Sequence, residues 1–93
     1  MKIYQSRLFE KKTKKMSRAD KAEIDREIKI VAENPNIGEG KKGDLRGIFV
    51  RKFKLKKTLY LFAYRKTGVD LELIMIGPHE NYYRDLKGYL KSR

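Results

Sequence analysis

The segment from Val50 to Lys57 mixes basic and apolar residues, and five of its eight positions are Arg or Lys. Successive side chains of an extended strand point to opposite faces, so Lys52 and Lys54 share one face. Arg51 and Lys56 are expected at its rim. Cations on a rigid sheet can hold phosphate oxygens and stabilise the charge that develops on a transferring phosphoryl group. The alternative is a solvated outer face of a half-buried sheet.

His79 is the only histidine of the chain and follows Gly77-Pro78, directly after a predicted strand. Imidazole is the side chain that titrates closest to neutral pH, which suits it to general acid or base catalysis. Tyr82, Tyr83 and Arg84 come next: tyrosine can stack on an unpaired base, and arginine can hold a phosphate. The alternatives are a merely exposed or structural histidine and tyrosines that pack the last helix. Adjacent helical positions point about 100° apart, so one tyrosine should be buried and the other exposed.

The charge balance favours a polyanionic partner. The 93 residues include 24 Lys and Arg against 12 Asp and Glu, a formal net charge of +12. Such an excess repels itself in a compact fold, and a nucleic acid is the usual polyanion that relieves it. A merely charged soluble surface is the alternative. No basic amphipathic segment is long enough to favour a membrane surface.

Several other classes of function are not expected. The chain has no Cys and one His, and its acidic residues are not clustered, so we predict no disulfide, no metal site and no cofactor. The N-terminal residues lack the apolar core of a signal peptide, and no apolar stretch approaches the ~20 residues of a membrane span. We therefore expect a cytoplasmic protein with one domain over residues 1–93.

Two helices are predicted in the N-terminal half, after a short strand over Lys2–Gln5. Ser6 can cap a helix that begins at Arg7, and its outer face carries Lys11, Lys12, Lys14 and Lys15. Ser17 can cap a second, amphipathic helix that runs to about Glu33 and stops at Asn34-Pro35. These helices should form a hairpin.

The C-terminal half is predicted to be mostly β, after a glycine-rich loop over residues 36–47. Strands are expected at Ile48–Leu55, Leu59–Tyr64 and Val69–Ile76, the last broken by Gly77-Pro78, before a helix over Glu80–Leu90. The order β-α-α-β-β-β-α and the short turns predict an α+β fold, in which an N-terminal helical hairpin packs on a small antiparallel β-sheet.

The chain resembles the RelE/ParE superfamily of type II toxin–antitoxin toxins in the order and spacing of five segments. These are Ala32–Gly38, Gly43–Gly47, the basic strand, the apolar strand ending in Tyr64, and Ile76–Tyr83. The resemblance covers almost the whole chain. It implies a small sheet with an N-terminal helical hairpin, which agrees with the order predicted from the residues. RelE-like members cleave mRNA on the ribosome, whereas ParE-like members poison DNA gyrase.

The resemblance also implies roles for individual residues. The segment Gly77-x-His79-x-x-x-Tyr83 is similar to an ending found in some nuclease members, where the histidine is an acid/base catalyst and the aromatic stacks on a base. Lys52 and Lys54 match a pair of basic residues on a RelE strand. RelE carries an arginine on the next strand, but Leu59–Leu61 offers none, so Arg65 or Arg51 would have to replace it.

These observations lead to a first hypothesis, a toxin that cuts mRNA within the ribosome and arrests growth. His79 would move a proton, Lys52, Lys54 and Arg51 would stabilise the phosphorane, and Tyr82 or Tyr83 would orient a base. The alternatives are a non-enzymatic gyrase poison, a degenerate toxin that only binds its antitoxin, and a plain RNA-binding module. If the chain is a toxin, we expect an acidic or amphipathic antitoxin segment to cover Lys52, Lys54 and His79.

Overall fold

The computed structural model describes residues 1–92, which form three α-helices and five β-strands. Along the chain these elements are β1 (Ile3–Gln5), α1 (Arg7–Lys14), α2 (Arg18–Glu33), β2 (Glu39–Gly40), β3 (Ile48–Leu55), β4 (Thr58–Thr67), β5 (Asp70–Pro78) and α3 (Tyr82–Lys91). No helix within this described part is long and apolar enough to cross a membrane.

The strands form one sheet in the order β1-β5-β4-β3-β2. The predicted meander is confirmed, because β3, β4 and β5 pair with their chain neighbours in antiparallel fashion. The sheet is not wholly antiparallel as predicted, since β1 lies parallel to β5 with Ile3 opposite Leu71. The hairpin of α1 and α2 lies between these strands in sequence, and such a long connection allows parallel pairing.

Serine caps start both N-terminal helices, as predicted. The Ser6 hydroxyl accepts a hydrogen bond from the Phe9 N–H at 3.0 Å and donates one to the Ile74 carbonyl at 2.5 Å. The Ser17 hydroxyl accepts from the Asp20 N–H at 3.1 Å. The first cap therefore also ties the start of α1 to the central part of β5.

The two faces of the sheet carry separate hydrophobic cores. The hairpin side buries ten residues: Phe9, Ile24, Val31, Phe53, Leu55, Phe62, Tyr64, Leu71, Leu73 and Ile76. The α3 side buries nine: Leu45, Ile48, Val50, Leu61, Ala63, Ile74, Met75, Tyr82 and Leu86. Helices therefore pack on both faces of the sheet.

Three predicted boundaries need correction. The glycine-rich loop contains β2 and a short 3-10 turn over Gly43–Leu45. The turn between β4 and β5 lies at Gly68, where φ is +66°, so β4 extends beyond Tyr64. Strand β5 continues through Gly77 to Pro78, which pairs with Tyr60. A proline is tolerated there because β1 pairs only with Leu71–Leu73, so no neighbouring strand needs the missing N–H.

The Tyr64 hydroxyl fastens the loop after α2 to the sheet. It donates to the Pro35 carbonyl at 2.7 Å and accepts from the Gly38 N–H at 3.0 Å. Tyr64→Phe should lower the free energy of unfolding by about 1–3 kcal/mol, because it leaves two partly buried backbone groups unpaired. Urea unfolding measures this loss. Tyr60→Phe is the matched control and should change stability little, and an equal loss in both variants would contradict the fastening role.

Candidate nucleic-acid interface

Lys52, Lys54 and His79 lie on the α3 side of the sheet, at the end that α3 does not cover. The strand register forms two transverse rows: Lys52 is opposite Leu61, which is opposite Gly77, and Lys54 is opposite Leu59. The His79 N–H donates to the Leu59 carbonyl at 2.8 Å, which extends the second row to His79. Each lysine position is therefore two strand spacings, about 10 Å, from the β5 position in its row. We call Lys52, Lys54 and His79 the lysine face.

A β-bulge in β5 determines which side of the sheet His79 reaches. The register shifts between Ala63 and Tyr64, where Ala63 pairs with Met75 but Tyr64 pairs with Leu73, which leaves Ile74 as the extra residue. Leu71 and Leu73 therefore belong to the hairpin-side core, whereas Ile74 and Met75 both belong to the α3-side core. Without the bulge, period-two alternation would put His79 on the hairpin side.

The residues between the two lysines and His79 in these rows, Leu59, Leu61 and Gly77, are uncharged. Leu61 and Gly77 are buried, and Leu59 is partly buried, whereas Lys52, Lys54 and His79 are exposed. Neither lysine has a carboxylate within ion-pair distance among residues 1–92. Two unpaired ammonium groups beside an exposed imidazole form a surface that favours an anion.

Tyr82 and Tyr83 begin α3 and have different environments: one of the two is buried, as the helical spacing predicts, but the other is partly buried and not exposed as expected. The Tyr82 hydroxyl donates to the Met75 carbonyl at 2.6 Å, its side chain is buried, and this burial raises its pKa. Tyr82 therefore anchors α3 to β5 and does not offer a ring to a base. Tyr83 is partly buried and packs edge-on to Tyr82, with ring centroids 5.7 Å apart.

Lys41 covers the ring of Tyr83, a contact that sequence reasoning missed. Its ammonium lies 4.7 Å from the ring centroid and forms an ion pair with Glu39. Burial lowers the pKa of Lys41, but Glu39 and the adjoining Tyr83 hydroxyl outweigh this effect and raise it. The Tyr83 hydroxyl is buried without a hydrogen-bond partner of normal geometry. Hydrogen bonding to Lys41, with smaller contributions from the charges of Lys41 and Lys52, lowers the pKa of Glu39.

The structure does not bring Arg51 to the lysine face. Arg51 alternates with Lys52, so it points to the hairpin side, where its Nε donates to Glu27 Oε1 of α2 at 2.9 Å. Both side chains of this pair are largely buried. The expected role of Arg51 beside the two lysines is therefore replaced by a structural role, the attachment of α2 to β3.

Arg51→Ala should lower the free energy of unfolding by about 1.5–3 kcal/mol, because it removes a charged hydrogen bond and leaves Glu27 without its partner. Urea unfolding measures the loss. Arg26→Ala removes an exposed ion pair with Glu23 from the same helix and should cost at most about 1 kcal/mol. An Arg51→Ala protein as stable as the wild type would contradict this structural role.

Three further candidate residues lie away from the lysine face or turn outward. Arg65 is opposite Ile48 and 3.7 Å from Glu72, about 20 Å along β4 from Leu59. Lys56 lies in the β3–β4 turn, 3.7 Å from Asp20 of α2. Arg84 is exposed on α3, 3.4 Å from Asp85. Neither Arg65 nor Arg51 therefore places its guanidinium beside Leu61, in the row that begins at Lys52. Within residues 1–92, no group of three or more His, Cys, Asp or Glu side chains could hold a metal ion.

Solved toxin structures share this fold. The chain aligns with E. coli RelE in the intact RelBE toxin–antitoxin complex (TM-score 0.68, 20% identity, 85% of this chain and 96% of that one). It aligns with isolated E. coli RelE (TM-score 0.66, 20% identity, 94% and 96%). It also aligns with the YoeB/ParE toxin from Agrobacterium tumefaciens (TM-score 0.68, 23% identity, 85% and 99%). At these identities the likeness shows the fold alone.

Sequence comparison identifies the family. No curated protein sequence matches the chain significantly. A family model described as "ParE-like toxin of type II bacterial toxin-antitoxin system" matches residues 3–87, which is most of the chain. The matched region runs from β1 into α3 and therefore includes Lys52, Lys54 and His79. The chain belongs to the family of ParE-like toxins of type II bacterial toxin–antitoxin systems.

Proposed function

We propose that this toxin is a metal-independent endoribonuclease that cuts mRNA on the ribosome. The observation that supports this proposal most is the common row of Lys54, Leu59 and His79, with Lys52 in the next row on the same face. An imidazole for proton transfer thus shares an open surface with two unpaired cations. These groups can supply one proton transfer and the charge stabilisation that phosphodiester cleavage by an internal nucleophile requires.

The proposed reaction uses the 2′-hydroxyl of the RNA as the nucleophile. Its oxygen attacks the adjacent phosphorus, its proton leaves to a base, and the bond from phosphorus to the 5′-oxygen breaks. The departing 5′-oxygen takes up a proton, so the products are a 2′,3′-cyclic phosphate and a 5′-hydroxyl end. His79 serves one of the two proton transfers, and Lys52 and Lys54 stabilise the negative charge on the pentacoordinate phosphorus.

Tyr83 is the aromatic residue proposed to orient a base. Tyr82 cannot take this role, because its ring is buried and its hydroxyl is bound to Met75. In the free protein, Lys41 covers one face of the Tyr83 ring. A stacked base would displace Lys41, whose ammonium would then be available to the phosphate backbone. Arg84 lies in the first turn of the same helix and can contact the backbone further along.

We further propose an acidic antitoxin segment as the cognate partner. The chain carries a net charge of +12, and the solved RelE relative occurs in a complex with its antitoxin RelB. An acidic or amphipathic segment laid across Lys52, Lys54 and His79 would neutralise the lysine face and exclude RNA from it. Binding of the antitoxin and of RNA should therefore be mutually exclusive.

Induced expression in a bacterium tests the proposed activity, with mRNA 5′ ends mapped beside an assay for gyrase–DNA breaks. Codon-phased cuts in translated mRNA, with growth arrest, support the proposal. Trapped gyrase–DNA breaks without mRNA cuts would overturn it in favour of a gyrase poison. An absence of any growth effect from the folded protein would also overturn it, in favour of a degenerate toxin or a plain RNA-binding module.

A further inference from the structure

Helix α1 brings Lys12 to the lysine face. A methyl group built on Gly77 would lie 3.9 Å from the Lys12 Nζ and 3.7 Å from the Tyr82 ring. Gly77 is the β5 member of the row that begins at Lys52. The Lys12 ammonium thus lies over the end of that row, beside the row that ends in His79.

The packing of α1 explains why this lysine reaches the sheet. Leu8 and Lys12 are one helical turn apart, so they share a side of α1. Leu8 packs against the α3-side core, whereas its neighbour Phe9 is buried in the hairpin-side core. Helix α1 therefore spans the edge of the sheet and directs Lys12 over Gly77, although the sequence pattern places Lys12 among solvent-facing lysines.

The side chain of Lys12 is exposed to solvent. Lys12 has no carboxylate within ion-pair distance among residues 1–92. Its ammonium is therefore available to an anion that approaches the end of the row that begins at Lys52. The lack of a side chain at Gly77 lets the ammonium lie close to the strand backbone, beside the Tyr82 ring.

We propose that Lys12 and Gly77 form a phosphate subsite for the RNA backbone, next to the phosphate that Lys52 and Lys54 would hold. This inference rests on the proposed function for the identity of the ligand. Lys12 would compensate for the absence of an arginine on β4 at Leu59–Leu61. The subsite would also define the path of the substrate, because the RNA backbone would run across the sheet from the β3 side towards α1.

Helix α1 offers a matched control for this subsite. Lys14 is also exposed, but it lines a different surface together with Arg7, Glu10 and Lys11. Lys12→Ala and Lys14→Ala therefore remove the same charge from the same helix, and only the first removes it from the proposed subsite. Lys12→Arg retains the charge and should retain most of the binding.

The test is a titration of the full chain with a 2′-O-methyl ribotrinucleotide, which cannot be cut by the proposed mechanism. The amide resonance of Gly77 reports on the subsite by NMR, and binding is measured across a series of salt concentrations. Lys12→Ala should weaken binding about tenfold and reduce the slope of log K against log salt by about 0.7. Lys14→Ala should leave both the affinity and the Gly77 shift close to wild type.

Equal losses in the two variants would overturn the subsite, since the effect would then be one of overall charge. Wild-type protein that does not bind the trinucleotide, or binds it without a shift at Gly77, would overturn it as well. These outcomes are separate from the fate of the proposed nuclease. Lys12-dependent binding by a protein that makes no mRNA cuts would support the subsite and reject the cleavage reaction.

Discussion

Replacement of His79 by alanine should reduce RNA cleavage by about 10²–10⁴-fold, because it removes the only imidazole on the lysine face. The fold should survive, since the side chain is exposed and the bond to the Leu59 carbonyl is made by the backbone N–H. Ribosome-dependent cleavage of mRNA measures the loss, and growth after induced expression provides a cellular readout. Thermal unfolding should show a melting temperature close to that of the wild type.

Glu80→Ala is the matched control for this experiment. Glu80 is the next residue and is also exposed, so its replacement tests whether any change in this segment impairs activity. The control should keep cleavage and growth arrest near wild-type levels. A fully toxic and fully active His79→Ala protein would reject His79 as the proton-transfer group.

The second large effect is expected from the double variant Lys52→Ala/Lys54→Ala. Each lysine stabilises developing phosphorane charge in the proposed mechanism, and the loss of one such donor typically costs about 10²-fold or more in rate. The double variant should therefore be almost inactive, and its residual RNA binding should depend less on salt. Single-turnover cleavage and binding at several salt concentrations separate the effect on chemistry from the effect on affinity.

Lys14→Ala/Lys29→Ala supplies the comparison, because it also removes two positive charges from exposed helical positions. If its activity falls as far as that of Lys52→Ala/Lys54→Ala, general charge explains the result and the lysine face has no special role. We expect instead that it stays close to wild type in cleavage. Both double variants should unfold at nearly the wild-type temperature, since none of the four lysines is buried.

Local sequence signals predicted most of the architecture. The caps at Ser6 and Ser17 and the strict alternation in β3 reproduce their elements almost to the residue, because short-range hydrogen bonds and solvent contact decide them. Strand β2 was missed because two residues carry no periodicity, and only their pairing with Phe49 and Val50 defines them. The parallel position of β1 depends on the packing of the hairpin, which a local pattern does not encode.

The candidate site was less predictable, because long-range packing assembles it. The run Ile74-Met75-Ile76 is uniformly apolar, so the sequence does not reveal the bulge that sends His79 to the lysine face. Alternation in β3 does place Arg51 and Lys52 on opposite faces of the sheet, and this signal was sufficient to separate Arg51 from Lys52 and Lys54. The approaches of Lys12 to Gly77 and of Lys41 to Tyr83 bring together elements that are distant in sequence.

The short length of β2 has a consequence for self-association. Because β2 pairs only with Phe49 and Val50, the outer edge of β3 from Arg51 to Leu55 has no neighbouring strand among residues 1–92. An unpaired strand edge invites intermolecular β-sheet formation, and protruding lysines are a common means of preventing it. Lys52 and Lys54 lie on this edge strand, so we expect their charges to oppose such pairing and their replacement by neutral residues to make the protein more prone to aggregation.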